Sequence, residues 1–277
     1  MKFLHGLSSC IRLVAGRPRP RTAAVILAGG AGTRMGTGTP KQWLLLGGRP
    51  VLWHSLSAFE RSDYVDDIVV VCRPEDKEKT KQLIASSGFS KVRRLTGGGA
   101  TRQRSAYNGA RCVPEGTRFI AIHDAARCLV TSAQIDAVIS RAYAVGAASL
   151  GIPVRDTVKV VNPEGYITKT LDRDTVFLAA TPQVFSYPMY ISAATSALRD
   201  GLSVTDDNGL IESLGQRVAV VPASSDAMKL TVPGDIALAE SILAARNKAD
   251  EKKPQDSLPG QKGKTVRKAK IFKEKRK

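Results

Sequence analysis

AAVILAGGAGTRMGTGTPKQ, residues 23–42, opens on six apolar residues and breaks off into a loop rich in glycine. A short unbroken apolar run ending at glycine predicts a strand buried on both faces, as in a parallel sheet. The loop behind it holds Gly29, Gly30, Gly32, Gly36 and Gly38, with Arg34 and Lys41 among them. Glycines let backbone amides approach phosphate oxygens, and the two cations add fixed positive charge. A flexible strand-to-helix turn would also use glycine. The string lacks the Gly-Lys-Ser/Thr ending of a P-loop, and no acidic residue stands at dinucleotide spacing.

Further strand-like runs follow: DDIVVVC ending at Cys72, KVRRL at Leu95, RFIAIHD at Asp124, AASLGIPV at Val154 and QRVAVV at Val221. Between them VLWHSLSAFERS, EDKEKTKQLIASSG, TSAQIDAVISRAYAVG and PGDIALAESILAARN place apolar residues three or four apart, the helical period. This alternation predicts an α/β fold with a mainly parallel sheet and helices on both faces, and ligands in such sheets bind beyond the carboxyl ends of the strands. Residues 156–174, DTVKVVNPEGYITKTLDRD, break the alternation with two β-branched stretches around NPEG, which predicts a projecting hairpin. A hairpin of this kind is marginal in water unless it packs on something else, and a second protomer would serve.

Of the net charge of +17, residues 246–277 carry +9 and residues 1–22 carry +5, leaving +3 for residues 23–245. The organisation expected is a basic N-terminal extension (1–22), one domain (23–245) and a basic tail (246–277) of the composition that stays disordered. A mildly basic body suits anionic substrates without any nucleic acid, although the tail could bind phosphate chains weakly. Cys10, Cys72, Cys112 and Cys128 show no CxxC spacing, which favours a reducing, cytoplasmic setting. The acid-free, arginine-containing start is also compatible with an organelle transit segment. No run of about 18 apolar residues argues for a membrane span.

Two more loops carry chemistry. GGGATRQRSAYNG, residues 97–109, is a second glycine-rich turn after a strand, where Ser105 and the backbone near Gly99 could meet a nucleobase and Arg102 a phosphate; equally, Thr101 could simply cap a helix. HDAAR follows at residues 123–127, placing Asp124 at a strand's carboxyl end, where a carboxylate could hold Mg²⁺ on a triphosphate or cap a helix. His123 is assigned no catalytic role.

The order AGGAGTRM with PKQ, GGATRQ before a serine, HDAAR, PVRDTVK and TPQVF, then VTDD at 204–207 and MKLT at 228–231, resembles the 2-C-methyl-D-erythritol 4-phosphate cytidylyltransferase family across residues 23–245. The resemblance implies a Rossmann-like sheet, a homodimer formed through the arm, and CMP transfer from CTP to a polyol phosphate with Mg²⁺. It implies catalytic roles for Arg34, Lys41 and Lys229, nucleotide contacts from Ala28, Gly29, Gly30, Gly32, Gly99, Arg102, Ser105 and Ala125, and a metal at Asp124. Arg127, Thr157, Arg173, Thr181, Thr205 and Thr231 would surround the acceptor phosphate, with Arg173 and Thr157 reaching across from the partner's arm. Three positions depart from the family: Ala100 and Thr101 replace an acidic pair, Cys128 replaces proline, and Ala227 replaces asparagine. Rival functions are D-ribitol 5-phosphate cytidylyl transfer within the class, nucleic-acid binding by the tail, and an NAD-dependent Rossmann enzyme, against which the missing dinucleotide spacing speaks.

Overall fold

The apolar run at the start of the glycine loop is strand β1 (Thr22–Leu27), with Ala23 to Ile26 removed from solvent. The computed structural model describes residues 19–30 and 38–251, and side chains as far as Lys248. Gly32 and Arg34, and most of both expected tails, lie outside the described residues. In chain order the remaining elements are β2 (Leu45–Leu46), β3 (Arg49–Pro50), α1 (Val51–Glu60), β4 (Asp67–Cys72), α2 (Lys77–Ser87), β5 (Val92–Gly97), α3 (Arg102–Ala110) and β6 (Phe119–Asp124). They continue with α4 (Ser132–Val145), β7 (Ala147–Pro153), β8 (Lys159–Val161), β9 (Ile167–Thr170), β10 (Phe177–Ser186), α5 (Tyr187–Arg199), α6 (Asp207–Ser213), β11 (Ala219–Pro222) and α7 (Gly234–Glu251).

Seven strands form one sheet in the order β11-β7-β10-β6-β1-β4-β5. β1 pairs in parallel with β4 and β6, Val25 lying level with Val69 and Ile122. Alternate residues of β1 point to opposite faces, as the period of a strand requires. Ala24 and Ile26 join the core under α1, α2 and α4, whereas Val25 joins the core under α3, α5 and α6. Both faces are therefore covered, which is why these strands are apolar throughout.

β10 does not appear among the expected strands. It runs antiparallel between β6 and β7, and its register shifts between Ala179 and Gln183. Pro182 sits within that irregularity, where its missing N–H costs the ladder least, and a proline inside a run reads as evidence against a central strand. The expected hairpin forms. β8 and β9 pair antiparallel, and the Asn162 side chain accepts the Tyr166 N–H at 2.8 Å across the turn. Every residue of both strands is exposed, Ile167 by 63%.

The expected boundaries shift at both ends. Arg19 pairs with Asp66 and Arg21 with Asp67, so the ordered body takes in residues assigned to the N-terminal extension. α7 runs on to Glu251, past the expected end at Ala245, and Arg246 donates to the Leu129 carbonyl at 2.7 Å.

Candidate active site

Beyond the carboxyl ends of β1, β5 and β6 lies a cleft of about 470 Å³. One wall is the end of β1, where Ala28 donates to the Val71 carbonyl at 2.8 Å and Gly29 and Gly30 follow. The opposite wall is the loop from Gly99 into α3. Thr101 caps that helix by accepting the Arg104 N–H at 3.1 Å, so the capping role left open for it is filled. Ser105 Oγ accepts the Gly99 N–H at 2.9 Å and donates to the Thr101 carbonyl at 2.9 Å. Its hydroxyl thus shapes the loop from within. A Cβ on Gly99 would lie 2.3 Å from Arg104 Cγ, so only glycine lets the loop close against the helix.

Lys41 enters from a turn of 3₁₀ helix, Lys41–Trp43, that is fixed from behind. The buried Asp76 carboxylate accepts Gln42 Nε2–H at 3.0 Å, Trp43 Nε1–H at 2.7 Å and Arg73 Nε–H at 2.8 Å. Lys41 Nζ donates to the Leu230 carbonyl at 3.1 Å, joining this turn to the strap of residues 224–232 that carries Lys229.

At the floor, Asp124 ends β6, and Ala125 donates to the Leu27 carbonyl at 3.1 Å. Asp124 Oδ1 accepts Arg102 Nε–H at 2.9 Å, and Oδ2 accepts Lys229 Nζ–H at 2.6 Å. Burial would raise this carboxyl, but the charges of Arg102 and Lys229 override it and hold the group well below the usual carboxylate range. Arg102 also donates to Asp207 at 2.7 Å. Against the lowering effect of burial, Asp207 and Asp124 keep its guanidinium charged.

The expected acceptor residues do not gather in this cleft. Thr181 is buried, and its hydroxyl accepts the Asp124 N–H at 3.1 Å and shares a 3.0 Å hydrogen bond with His123 Nδ1, so it props the strand end. Burial lowers His123 to about 3 and keeps the ring neutral. Arg127 spends its two terminal nitrogens on the carbonyls of Ala227 and Ala179, each at 3.0 Å, bracketing the strap to β10. The Thr231 hydroxyl donates to Asp235 at 2.9 Å. Thr157, Arg173 and Thr205 are exposed and line no wall of the cleft.

The departures from the family pattern are accommodated. Cys128 packs with Leu46, Val51, Leu129 and Leu230, and burial pushes its thiol up to about 12. Ala227 offers Arg127 a carbonyl, and Lys229 still reaches Asp124. Sequence reasoning missed Asp207 and Asp76, both acids that work from behind the cleft. The paired aspartates of VTDD were the available signal for the first.

A family profile described as IspD, 2-C-methyl-D-erythritol 4-phosphate cytidylyltransferase, matches residues 22–245. The enzyme of that name from Desulforamulus reducens is 41% identical over 225 residues, covering 81% of this chain and 96% of the relative. The one from Pelotomaculum thermopropionicum is 40% identical over 227 residues, with 82% and 95% covered. Among solved structures, 4-diphosphocytidyl-2C-methyl-D-erythritol synthase from Anaerococcus prevotii superposes with a TM-score of 0.74 at 26% identity, covering 81% of this chain and 96% of that one. The 2-C-methyl-D-erythritol 4-phosphate cytidylyltransferase from Thermus thermophilus gives 0.65 at 30% identity, with 79% and 98% covered. A glycine-walled cleft floored by Asp124, a family match over residues 22–245 and relatives covered over 95% and 96% of their own length agree: the chain belongs to the 2-C-methyl-D-erythritol 4-phosphate cytidylyltransferase family.

Proposed function

We propose that this protein transfers CMP from CTP to 2-C-methyl-D-erythritol 4-phosphate, serving non-mevalonate isoprenoid precursor synthesis. The observation that carries the assignment to this cleft is the Asp124 carboxylate held between Arg102 and Lys229, opposite the glycine loop and Lys41. A phosphate oxygen of the acceptor attacks the α-phosphorus in line; the bond from that phosphorus to the bridging oxygen breaks, and pyrophosphate leaves with the electron pair. A phosphate monoester is already a nucleophile near neutral pH, so no general base is needed. The obstacle is bringing two anions together, and positioning with fixed positive charge overcomes it.

In this scheme the backbone of Ala28 to Gly30, with Gly32, cradles the triphosphate, Arg34 and Lys41 offset its charge, and the loop at Gly99 to Ser105 holds the base through its backbone. Lys229 aligns the acceptor phosphate. A lone, ionised carboxylate at a strand end suits Mg²⁺, which takes one or two carboxylates and fills its shell with phosphate oxygens and water. Asp124 would be the protein's own ligand in this scheme; among the described residues no group of three or more His, Cys, Asp or Glu could cage a metal. When bound, Mg²⁺ supplies charge that gathers the triphosphate oxygens and offsets the charge developing at the α-phosphorus.

A homodimer completes the scheme. The arm exposes Val160, Val161, Tyr166 and Ile167, an apolar cost that a second copy would cover. Arg173 and Thr157, which line no wall of their own cleft, would then serve the partner's acceptor site. Cys72, Cys112 and Cys128 are free thiols, as a reducing compartment would keep them. Among the described residues no helix is long and apolar enough to cross a membrane.

The test is pyrophosphate release with Mg²⁺ and CTP, comparing 2-C-methyl-D-erythritol 4-phosphate with D-ribitol 5-phosphate and then replacing CTP by UTP, ATP or GTP. Release that requires CTP and the methylerythritol phosphate is expected. Activity confined to ribitol phosphate would overturn the substrate while keeping the chemistry.

A further inference from the structure

Behind the cleft floor a second carboxylate is buried where an apolar residue would have served the core. Asp207 opens α6 and is 1% exposed. Tyr190, fully buried and stacked on Phe185, donates to its Oδ1 at 2.9 Å, and the Asp207 N–H donates to Gln183 Oε1 at 2.9 Å. Its Oδ2 accepts Arg102 Nη1–H at 2.7 Å, and the same guanidinium gives its Nε–H to Asp124 at 2.9 Å. With Lys229 on the far oxygen of Asp124, one line of hydrogen bonds runs from Tyr190 in the core out to the cleft.

Ion pairs taken out of water seldom stabilise a fold more than apolar residues of equal volume. The core beside Asp207 is already filled by Leu210 and Ile211. What the carboxylate adds is direction. A guanidinium is a rigid planar fork, so fixing Nη1 on Asp207 also fixes where Nε points. Without Asp207, Arg102 would keep one of these two carboxylate partners and pivot about it, and Asp124 would turn with it.

We propose that Asp207 is a positioning residue for the transfer reaction: it clamps Arg102 from behind, so that Asp124 meets the triphosphate in one fixed orientation. The proposal rests on the assignment of Asp124 to the nucleotide site. Asp207 lines no wall of the cleft and acts only through Arg102. Its loss therefore falls on kcat and on the hold of the metal at Asp124, while the glycine loop and Lys41 still bind the triphosphate.

The full chain is compared with Asp207→Asn, Asp207→Glu, Tyr190→Phe and, as a control, Asp124→Asn. The measurements are kcat, KM for both substrates, the melting temperature, and Mn²⁺ affinity of the protein–CTP complex by electron paramagnetic resonance. Because misplacing a reacting group by 1 Å can cost about 10²-fold, Asp207→Asn is expected to lose about 10- to 100-fold in kcat. KM for the acceptor should stay within about threefold, and Mn²⁺ affinity of the protein–CTP complex should fall by about tenfold, as the metal's carboxylate is loosened. Asp207→Glu should restore most of the rate, and Tyr190→Phe, which keeps the charge, should lose about two- to fivefold as one brace goes. A purely structural role would lower the melting temperature of Asp207→Asn but leave kcat per folded molecule and Mn²⁺ affinity unchanged, which overturns the proposal. Should Asp207→Asn not fold, wild-type kcat and Mn²⁺ affinity in Tyr190→Phe overturn it instead. Normal turnover by Asp124→Asn removes the site assignment and the clamp together; an inactive Asp124→Asn beside a normal Asp207→Asn removes the clamp alone.

Discussion

Lys41 reaches its place through neighbours that do no chemistry themselves, and this makes its own contribution separable. Gln42 and Trp43 anchor the turn on Asp76, so trimming Lys41 leaves the backbone where it is. Lys41→Ala should lower pyrophosphate release by about 10²-fold or more, the usual cost of removing one charge-stabilising group. Its melting temperature should stay within a few degrees of the parent; near-normal turnover would take Lys41 out of the mechanism. Lys41, Asp124 and Arg102 were legible because each sits in or beside a string tied to a strand end, and Lys229 was named only through the family resemblance of MKLT. The contacts of Arg127 and Thr181 within the protein were not, since their partners are the carbonyl of Ala179 and the ring of His123, contacts that exist only once β10 lies beside β6. Long-range closure of that kind leaves no local pattern to read.

At the scale of elements, the Lys41 turn carries a built-in acid sensitivity. Asp76 is partly desolvated, which would raise its carboxyl, but Arg73, Trp43 and Gln42 hold it below its unfolded value of 3.8. A depressed carboxyl stabilises the fold above the unfolded value and loses that contribution as pH falls through the folded one. Stability to urea, followed by tryptophan fluorescence from pH 5 to pH 3, should therefore fall less steeply in Asp76→Asn than in the parent; identical slopes would show that Asp76 contributes no linkage. Helix α3 rests on a second local constraint. A Cβ at Gly109 would lie 2.4 Å from Val25 and 2.6 Å from Val71. Gly109→Ala should cost about 1–3 kcal/mol by overpacking, less up to ~1 kcal/mol from better helix propensity, measured by chemical denaturation. Most strands announced themselves as apolar runs, and α1, α2, α4 and α7 by their period. Helix α5 did not, because its buried face is Tyr190 with Ala193, Ala194 and Ala197, too small to mark a stripe. The last turns of α7 read as tail for a similar reason: ARNKADE has no apolar rhythm, and Arg246 holds on through Leu129 and Asp226 instead.

For the molecule as a whole, two changes test how far the folded body and its partner extend. Ending the chain after Glu251 should leave turnover and melting temperature unchanged, whereas ending it after Ala245 removes Arg246, frees one end of the strap bearing Lys229 and should lower kcat several-fold. Equal activity of the two would show that the strap needs no such tie. Ile167→Asp in the arm should give a monomer by sedimentation and a KM for the acceptor raised at least tenfold, as Arg173 would be lost to the partner's site; an active monomer would sever the arm from catalysis. The antiparallel insertion of β10 has a consequence for synthesis as well. As the chain emerges from the ribosome, β1, β4, β5 and β6 can assemble early, but β7 has no place in the sheet until residues 177–186 follow it. Until then the apolar β6, ending at Asp124, presents a bare edge, and an unpaired apolar edge is what strays into aggregates or recruits chaperones. The strand that carries the central acid is thus left half-paired for part of the time the protein is being made.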